Sequence, residues 1–241
     1  LYGWGLNTYT EGAVGDNTII NRSSPIHIGT SDSDWVISNT LVAKDYGSAS
    51  VKVWQSDGSL WTWGKNLNYG DLDVTGSTQS SPVQIGTDNI PDGESATGWI
   101  SKNADNKKVG MIANKNNAHL AIRADGQLWF WGTNDYFGYG IGGIGNTITQ
   151  QSAVRVASEH LWARVTIGRA HAIAVRDDGS LWSWGYNAGG QLGTGNTTNR
   201  SSPVQIGSDT DWDAEGMSNG HDFQGAVKNG ELYMWGINSG G

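Results

Sequence analysis

The 241 residues carry 15 Lys and Arg against 23 Asp and Glu, for a net charge of −8, and include no cysteine. That balance excludes the broad positive footprint of a DNA-binding surface, so no nucleic-acid partner is expected. It also leaves no disulfide, thiolate metal site or cysteine nucleophile, and no apolar run approaches the length of a membrane helix.

The chain opens on Leu1-Tyr2-Gly3-Trp4-Gly5-Leu6-Asn7, the first of five copies of Leu-aromatic-x-Trp-Gly-x-Asn. The others begin at Leu60, Leu128, Leu181 and Leu232. Their second aromatic is Trp4, Trp63, Trp131, Trp184 and Trp235, giving spacings of 59, 68, 53 and 51. A period near fifty residues indicates a solenoid, a propeller or an array. The units run 1–59, 60–127, 128–180 and 181–231, with a fifth starting at 232–241. In each strand the two aromatics share one face, and Leu181 and Ser183, for example, share the other. Bulk on both faces predicts a strand covered on both sides, as in a blade packed between two blades.

Each later copy follows a short apolar run and a tight turn, at Asp57-Gly58, Asp125-Gly126, Asp178-Gly179 and Asn229-Gly230. Asp-Gly and Asn-Gly tolerate positive φ, so these read as hairpins. Downstream of the motif comes a Gly-rich loop, such as Ala188 to Gly195. A Pro-led strand follows, as in Arg22 to Gly29, Gln79 to Gly86 and Arg200 to Gly207, with a weaker copy at Gln150 to Ala157. Pro at the start of such a strand suits a sheet edge. A second aromatic series then falls at Trp35, Trp99, Trp162 and Trp212, so 12 of the 13 Trp are periodic and Trp54 stands outside the pattern. No stretch sustains a period of 3.6, so almost no helix is expected. The 68-residue interval carries an insertion between Ile85 and His119, expected as a surface loop.

The pattern Leu-Trp-x-Trp-Gly-x-Asn-x-x-Gly-Gln-Leu-Gly-x-Gly, then Pro-x-x-Ile, Trp and Gly-x-x-His-x-x-Ala-Val-x-x-Asp-Gly, resembles the repeat of the regulator of chromosome condensation family. Gly190 to Gly195 carry the loop, and Gly168, His171, Ala174 and Val175 carry the Gly-x-x-His segment. The resemblance implies an all-β protein, a single β-propeller of four-stranded blades over 1–241. About four to five blades are present, from a ring of seven. Departures are plain. Lys115 stands where Gly168 does, and Ser50, Ala118 and Phe223 stand where His171 does.

No catalytic constellation emerges, so no enzyme, metal or cofactor is expected. The five histidines lack metal-ligand spacing, and His171 is expected to hydrogen-bond backbone within its blade. Gly140 to Gly145 has no following helix, so it is a blade loop rather than a phosphate cradle. The pairs Asp71/Asp73 and Asp209/Asp211 read as solvated turns.

Two stretches are candidate binding sites. The loop Asn134 to Ile141 presents Tyr136, Phe137 and Tyr139 on a Gly support, chemistry suited to a protein or surface glycan, although an aromatic can equally tuck onto its own blade. The insertion places Lys102, Lys107 and Lys108 on an acidic protein, a locus for an anionic partner or a solvated face. Composition rich in Asn, Ser, Thr and Gly, together with the family resemblance, points to a structural or macromolecule-binding module of a phage virion or of a bacterial surface or secreted protein. The family also offers a nucleotide exchange factor for a small GTPase, or a secreted propeller that inhibits a hydrolase. Both ends of the sequence lie inside copies of the unit, so a longer polypeptide or an assembly partner is expected to cover the end blades.

Overall fold

The computed structural model describes residues 1–8, 12–29, 35–36, 50–66, 78–85, 98–102, 108–115, 117–135 and 138–237, with backbone alone at 100–102 and 108–110. Its described strands form antiparallel sheets in sequence order. The first holds β1 (Tyr2–Gly5) and β2 (Arg22–His27). The second runs β3 (Trp35–Val36), β4 (Ser50–Gln55), β5 (Leu60–Lys65) and β6 (Thr78–Gln84). The third has five strands, β7 (Ile100–Lys102), β8 (Lys108–Lys115), β9 (Ala118–Ile122), β10 (Leu128–Gly132) and β11 (Gln150–Val156). The fourth has β12 (Trp162–Ile167), β13 (His171–Arg176), β14 (Leu181–Gly185) and β15 (Arg200–Gln205). The fifth has β16 (Trp212–Asn219), β17 (Phe223–Lys228) and β18 (Glu231–Gly236). We call these sheets blades 1 to 5.

All four expected hairpin turns are present. Ser59 and Ser180 each donate backbone N–H and hydroxyl to the aspartate two residues earlier, Asp57 and Asp178, which closes those turns. The insertion is not wholly a loop. Part of it folds as β7 and β8, paired so that Lys102 stands opposite Lys108.

The motif tryptophans Trp63, Trp131 and Trp184 are 2 %, 0 % and 0 % exposed. Each reaches across to the preceding blade where that loop is described. Trp63 Nε1 donates to the Ala13 carbonyl at 3.1 Å, Trp184 Nε1 to Ile141 at 2.7 Å, and Trp235 Nε1 to Gln191 at 2.8 Å. A Cβ on Gly143 would lie 2.8 Å from Trp184 Nε1, and one on Gly193 the same distance from Trp235 Nε1. Glycine at that loop position therefore lets the backbone lie flush on the indole edge. The Gly after each motif Trp meets a different demand. Gly185 has φ +101, and a Cβ there would strike the Ala170 carbonyl. This places a bulge between β14 and β15, and the Tyr186 N–H turns to Ala170 O at 2.8 Å.

The second aromatic series packs edge-on against the motif pair. Trp162 lies 6.1 Å from Trp182 and 6.0 Å from Trp184, and Trp99 and Trp35 make the same triads with Trp129/Trp131 and Trp61/Trp63. Trp54, which the periodic pattern left over, is fully buried and donates to the Trp99 carbonyl at 3.0 Å. It is therefore a further interblade contact.

Ala157 departs from the repeat. Its counterparts Gly29 and Gly207 have φ of 88° and 64°, and Ala157 follows them with φ 43°. A left-handed alanine is strained where glycine is not.

Truncating Trp184 to Ala should cost roughly 3–5 kcal/mol in urea unfolding. Trp184→Phe should cost less, because it keeps a ring but loses the interblade hydrogen bond. Ala157→Gly should raise stability by up to about 1 kcal/mol. The relief of left-handed strain exceeds the added freedom of the unfolded chain, and a lower urea midpoint would contradict this.

Candidate functional site

Strand direction sorts the loops onto two faces. The hairpin turns lie at the start of each motif strand, on one face. The Gly-rich loops follow its end on the other, together with the turns joining β12 to β13 and β16 to β17.

On this loop face the motif Asn organises the chain. Asn187 is fully buried. Its Oδ1 accepts from Leu192 N–H at 2.8 Å, and its Nδ2 donates to the Asn196 and Thr198 carbonyls at 2.9 and 3.0 Å. Asn134 repeats this with Gly142 N–H and the Asn146 carbonyl, and Asn7 with Val14 N–H and the Thr18 carbonyl. One amide thus staples each of these three loops to its own strand by satisfying backbone groups that no ladder reaches. Loops held this way can present side chains in fixed positions.

Tyr139 is one such side chain. Its ring lies 4.5 Å from that of Tyr186 on the next blade, at an interplanar angle of 36°. Both are half-buried, so the pair bridges two loops and still offers a surface. Tyr186 was not picked out by sequence reasoning. The signal was its place directly after Trp-Gly, where Ile237 in blade 5 likewise packs on the preceding loop at Gly189. Tyr136 and Phe137 lie outside the described residues.

The lysine candidates fall elsewhere. Lys102 and Lys108 are backbone partners in register, at the end of β8 remote from Lys115. Because Lys115 pairs with Ala118 at the loop face, the Lys108 end of β8 lies toward the hairpin face. Lys107 lies outside the described residues. The two sequence-derived regions therefore do not form one site.

His171 corrects its expectation. It is fully buried, and neither ring nitrogen hydrogen-bonds to backbone; its polar neighbour is the Asn219 side chain, which falls short of full hydrogen-bond geometry. A Cβ on Gly168 would collide with the imidazole, so the Gly-x-x-His pair is a packing unit in which glycine makes room for a ring. Gly220 and Phe223 reproduce the unit with a phenyl ring. Blade 3 has Ala118 in place of the ring, and there Lys115 replaces the glycine. Desolvation lowers the His171 pKa to about 4, opposed by Asp222 and reinforced by Arg169. His119 is also buried, stacked on Trp131 at 5.4 Å, and burial holds it well below the ordinary imidazole range. Among the described residues no group of three or more His, Asp or Glu is arranged to hold a metal ion.

The regulator of chromosome condensation (RCC1) repeat model matches residues 178–227, and a second model of that repeat matches 162–191. The chain is 24% identical over 249 residues to the RCC1 domain-containing protein RUG3, mitochondrial, of Arabidopsis thaliana, covering 98% of this chain and 49% of that protein. It is 26% identical over 212 residues to the ultraviolet-B receptor UVR8 of the same plant, covering 86% and 41%. It is 26% identical over 208 residues to the human E3 ubiquitin-protein ligase HERC2, covering 86% of this chain but 4% of the ligase. The chain thus spans about half or less of the curated relatives it matches. Among solved structures, human WBSCR16 superposes with a TM-score of 0.65 at 20% identity, over 98% of this chain and 57% of that one. Prp20p of Saccharomyces cerevisiae gives 0.52 at 22% identity, over 74% and 42%. The architecture is that of these β-propellers.

The buried histidines set a pH dependence. The unfolded chain protonates His171 near pH 6.5, whereas the folded chain resists until about pH 4. Stability should therefore fall as pH drops through that window, by about 3 kcal/mol for His171 alone. His119 acts in the same direction. Urea titrations at pH 7 and pH 4.5 should show a smaller loss for His171→Ala than for the wild type. Equal losses would mean the ring is not held neutral.

Proposed function

We propose that this chain, which belongs to the regulator of chromosome condensation repeat family, is a non-catalytic β-propeller module that binds a macromolecule through its loop face. The observation that carries the reading is the Tyr139–Tyr186 pair. Two aromatic side chains from adjacent blades meet at 4.5 Å above loops that buried Asn134 and Asn187 hold in place. Aromatics on a fixed support lose little freedom on binding and supply much of an interface's energy. A protein is the favoured partner, since tyrosines with backbone-rich loops around them suit mixed apolar and hydrogen-bonding contact. A surface glycan is the other candidate. We place the module in a virion or on a bacterial surface, on the strength of its Asn-, Ser-, Thr- and Gly-rich composition.

The second reading is an exchange factor for a small GTPase. It rests on the fold shared with Prp20p, whose structure was reported with its binding properties to Gsp1p and histones. A nucleotide-release assay separates the two. Acceleration of GDP release from a small GTPase would replace the reading favoured above. For the loop face itself, a photoreactive phenylalanine at position 186 should crosslink the native partner. The same group at position 177, on the hairpin face, should not. Crosslinking from 177 alone would move the interface to the opposite face.

A further inference from the structure

The interfaces between successive blades use equivalent positions, and two of them are described from both sides. Between blades 3 and 4, Ala118, Phe130, Ile141, Ile167 and Ala172 all belong to one buried apolar cluster. Register gives their counterparts one blade later. Ala118 pairs with Gly132 as His171 does with Gly185, and Phe130 precedes Trp131 as Ser183 precedes Trp184. Ile141 and Gln191 each present the carbonyl that accepts from the next blade's motif Trp. Ile167 pairs with Ala172 as Asn219 does with Gln224. The same five positions between blades 4 and 5 are therefore His171, Ser183, Gln191, Asn219 and Gln224. Every apolar residue has become polar.

Ser183 is satisfied, its hydroxyl donating to the Leu192 carbonyl at 2.7 Å. The others are not. His171 Nδ1 and Nε2, Gln191 Nε2, both amide atoms of Asn219 and both of Gln224 are shielded from solvent without a hydrogen-bond partner. His171, Gln191 and Gln224 are fully buried. Asn219 is the hydrogen-bonding neighbour of His171 and raises its pKa, but the contact falls short of full hydrogen-bond geometry and leaves both side chains short of partners. An orphaned buried polar group is costly, so seven such atoms in one seam weigh against a dry interface. Serine in place of phenylalanine at 183 also removes a ring from this layer. The groups are near balance, four donor atoms to three acceptors, because Asn219 and Gln224 offer both, neutral His171 offers one of each and Gln191 adds its Nε2. That balance suits an uncharged bifunctional hydrogen-bonding ligand rather than an ion. Arg169, His221 and Asp222 lie at the loop-face rim of the same seam, with Arg169–Asp222 at 3.3 Å and His221–Asp222 at 2.6 Å.

We infer that the loop end of the blade 4–5 interface is a water-binding site, in which buried water bridges His171, Gln191, Asn219 and Gln224. The hairpin-face part of the same interface is apolar, lined by Val175, Leu181 and Ala226. Blade 5 is therefore joined to blade 4 by an apolar half and a hydrated half, whereas the same five positions between blades 3 and 4 are all apolar. The hydrated half is the end at which solvent enters first.

A high-resolution crystal structure of the protein tests the site directly. Ordered water within hydrogen-bonding distance of a His171 ring nitrogen and of the Gln224 amide is the expected result. A dry seam whose side chains bond to one another, or a bridging solute anion, would overturn it. Hydrogen exchange supplies an independent reading. The backbone amides of Asn219 and Gln224 should exchange roughly tenfold or more faster than those of Ile167 and Ala172. The triple variant His171→Ala, Asn219→Ile, Gln224→Ala installs the residues of the preceding interface and should remove that difference. Because a triple change can disturb folding, Gln224→Ala alone provides the control. It should leave water at His171, and its loss there would also overturn the site.

Discussion

The indole N–H of each motif tryptophan that bonds to the loop of the blade before it is the contact on which the rest depends. Trp63, Trp184 and Trp235 donate to Ala13, Ile141 and Gln191, residues 43 to 50 positions earlier. A buried indole needs a partner, and here the partner lies across an interface rather than along the ladder. The bond therefore fixes the spacing between sheets, not within them. It requires a loop that brings a carbonyl to one point, and glycine beside that carbonyl so that backbone can touch the ring. The Asn staple supplies the first requirement and Gly143 or Gly193 the second. Blade, loop and interface are consequently specified by one short motif.

That economy leaves the remaining interface positions free to differ. Between blades 3 and 4 they form a continuous apolar layer, and between blades 4 and 5 they hold His171, Gln191, Asn219 and Gln224. Both junctions keep the same tryptophan contact. The same backbone can therefore tolerate a dry or a polar seam, and the order of repeats along the chain becomes an order of mechanically different joints. Cation–aromatic contacts vary in the same way. Arg176 lies over Trp182 at 5.6 Å, and Lys228 lies over Trp212 and Tyr233 at 5.3 Å.

The loop face inherits its chemistry from this construction. Its side chains project from loops whose inner backbone is committed to Asn7, Asn134 or Asn187, so substitutions on the outside need not disturb the fold. Repeat proteins generally concentrate recognition where such freedom exists. Tyr186 and Ile237 occupy one position in successive blades and pack on different loop residues, Tyr139 and Gly189.

Much of this was legible in the residues alone. Five motif copies, four turn dipeptides and the second Trp series determined an all-β repeat with buried tryptophans, because strand period and turn chemistry are local properties. Contacts between units left no such trace. Trp54 looked unassigned, since its partner is a carbonyl 45 residues away. His171 suggested a backbone hydrogen bond, and only packing shows a ring lying on Gly168 with neither nitrogen bonded to backbone. Tyr139 was visible as an exposed-loop aromatic, but Tyr186 became part of the same surface only when neighbouring blades were brought together. Lys102 and Lys108 were read as loop residues, and the register of β7 with β8 set them opposite one another, toward the other face. The sequence by itself determined what each blade is, because a blade is built from short-range alternation. Tertiary structure alone decided what lies between blades, because that depends on residues some fifty positions apart meeting across an interface.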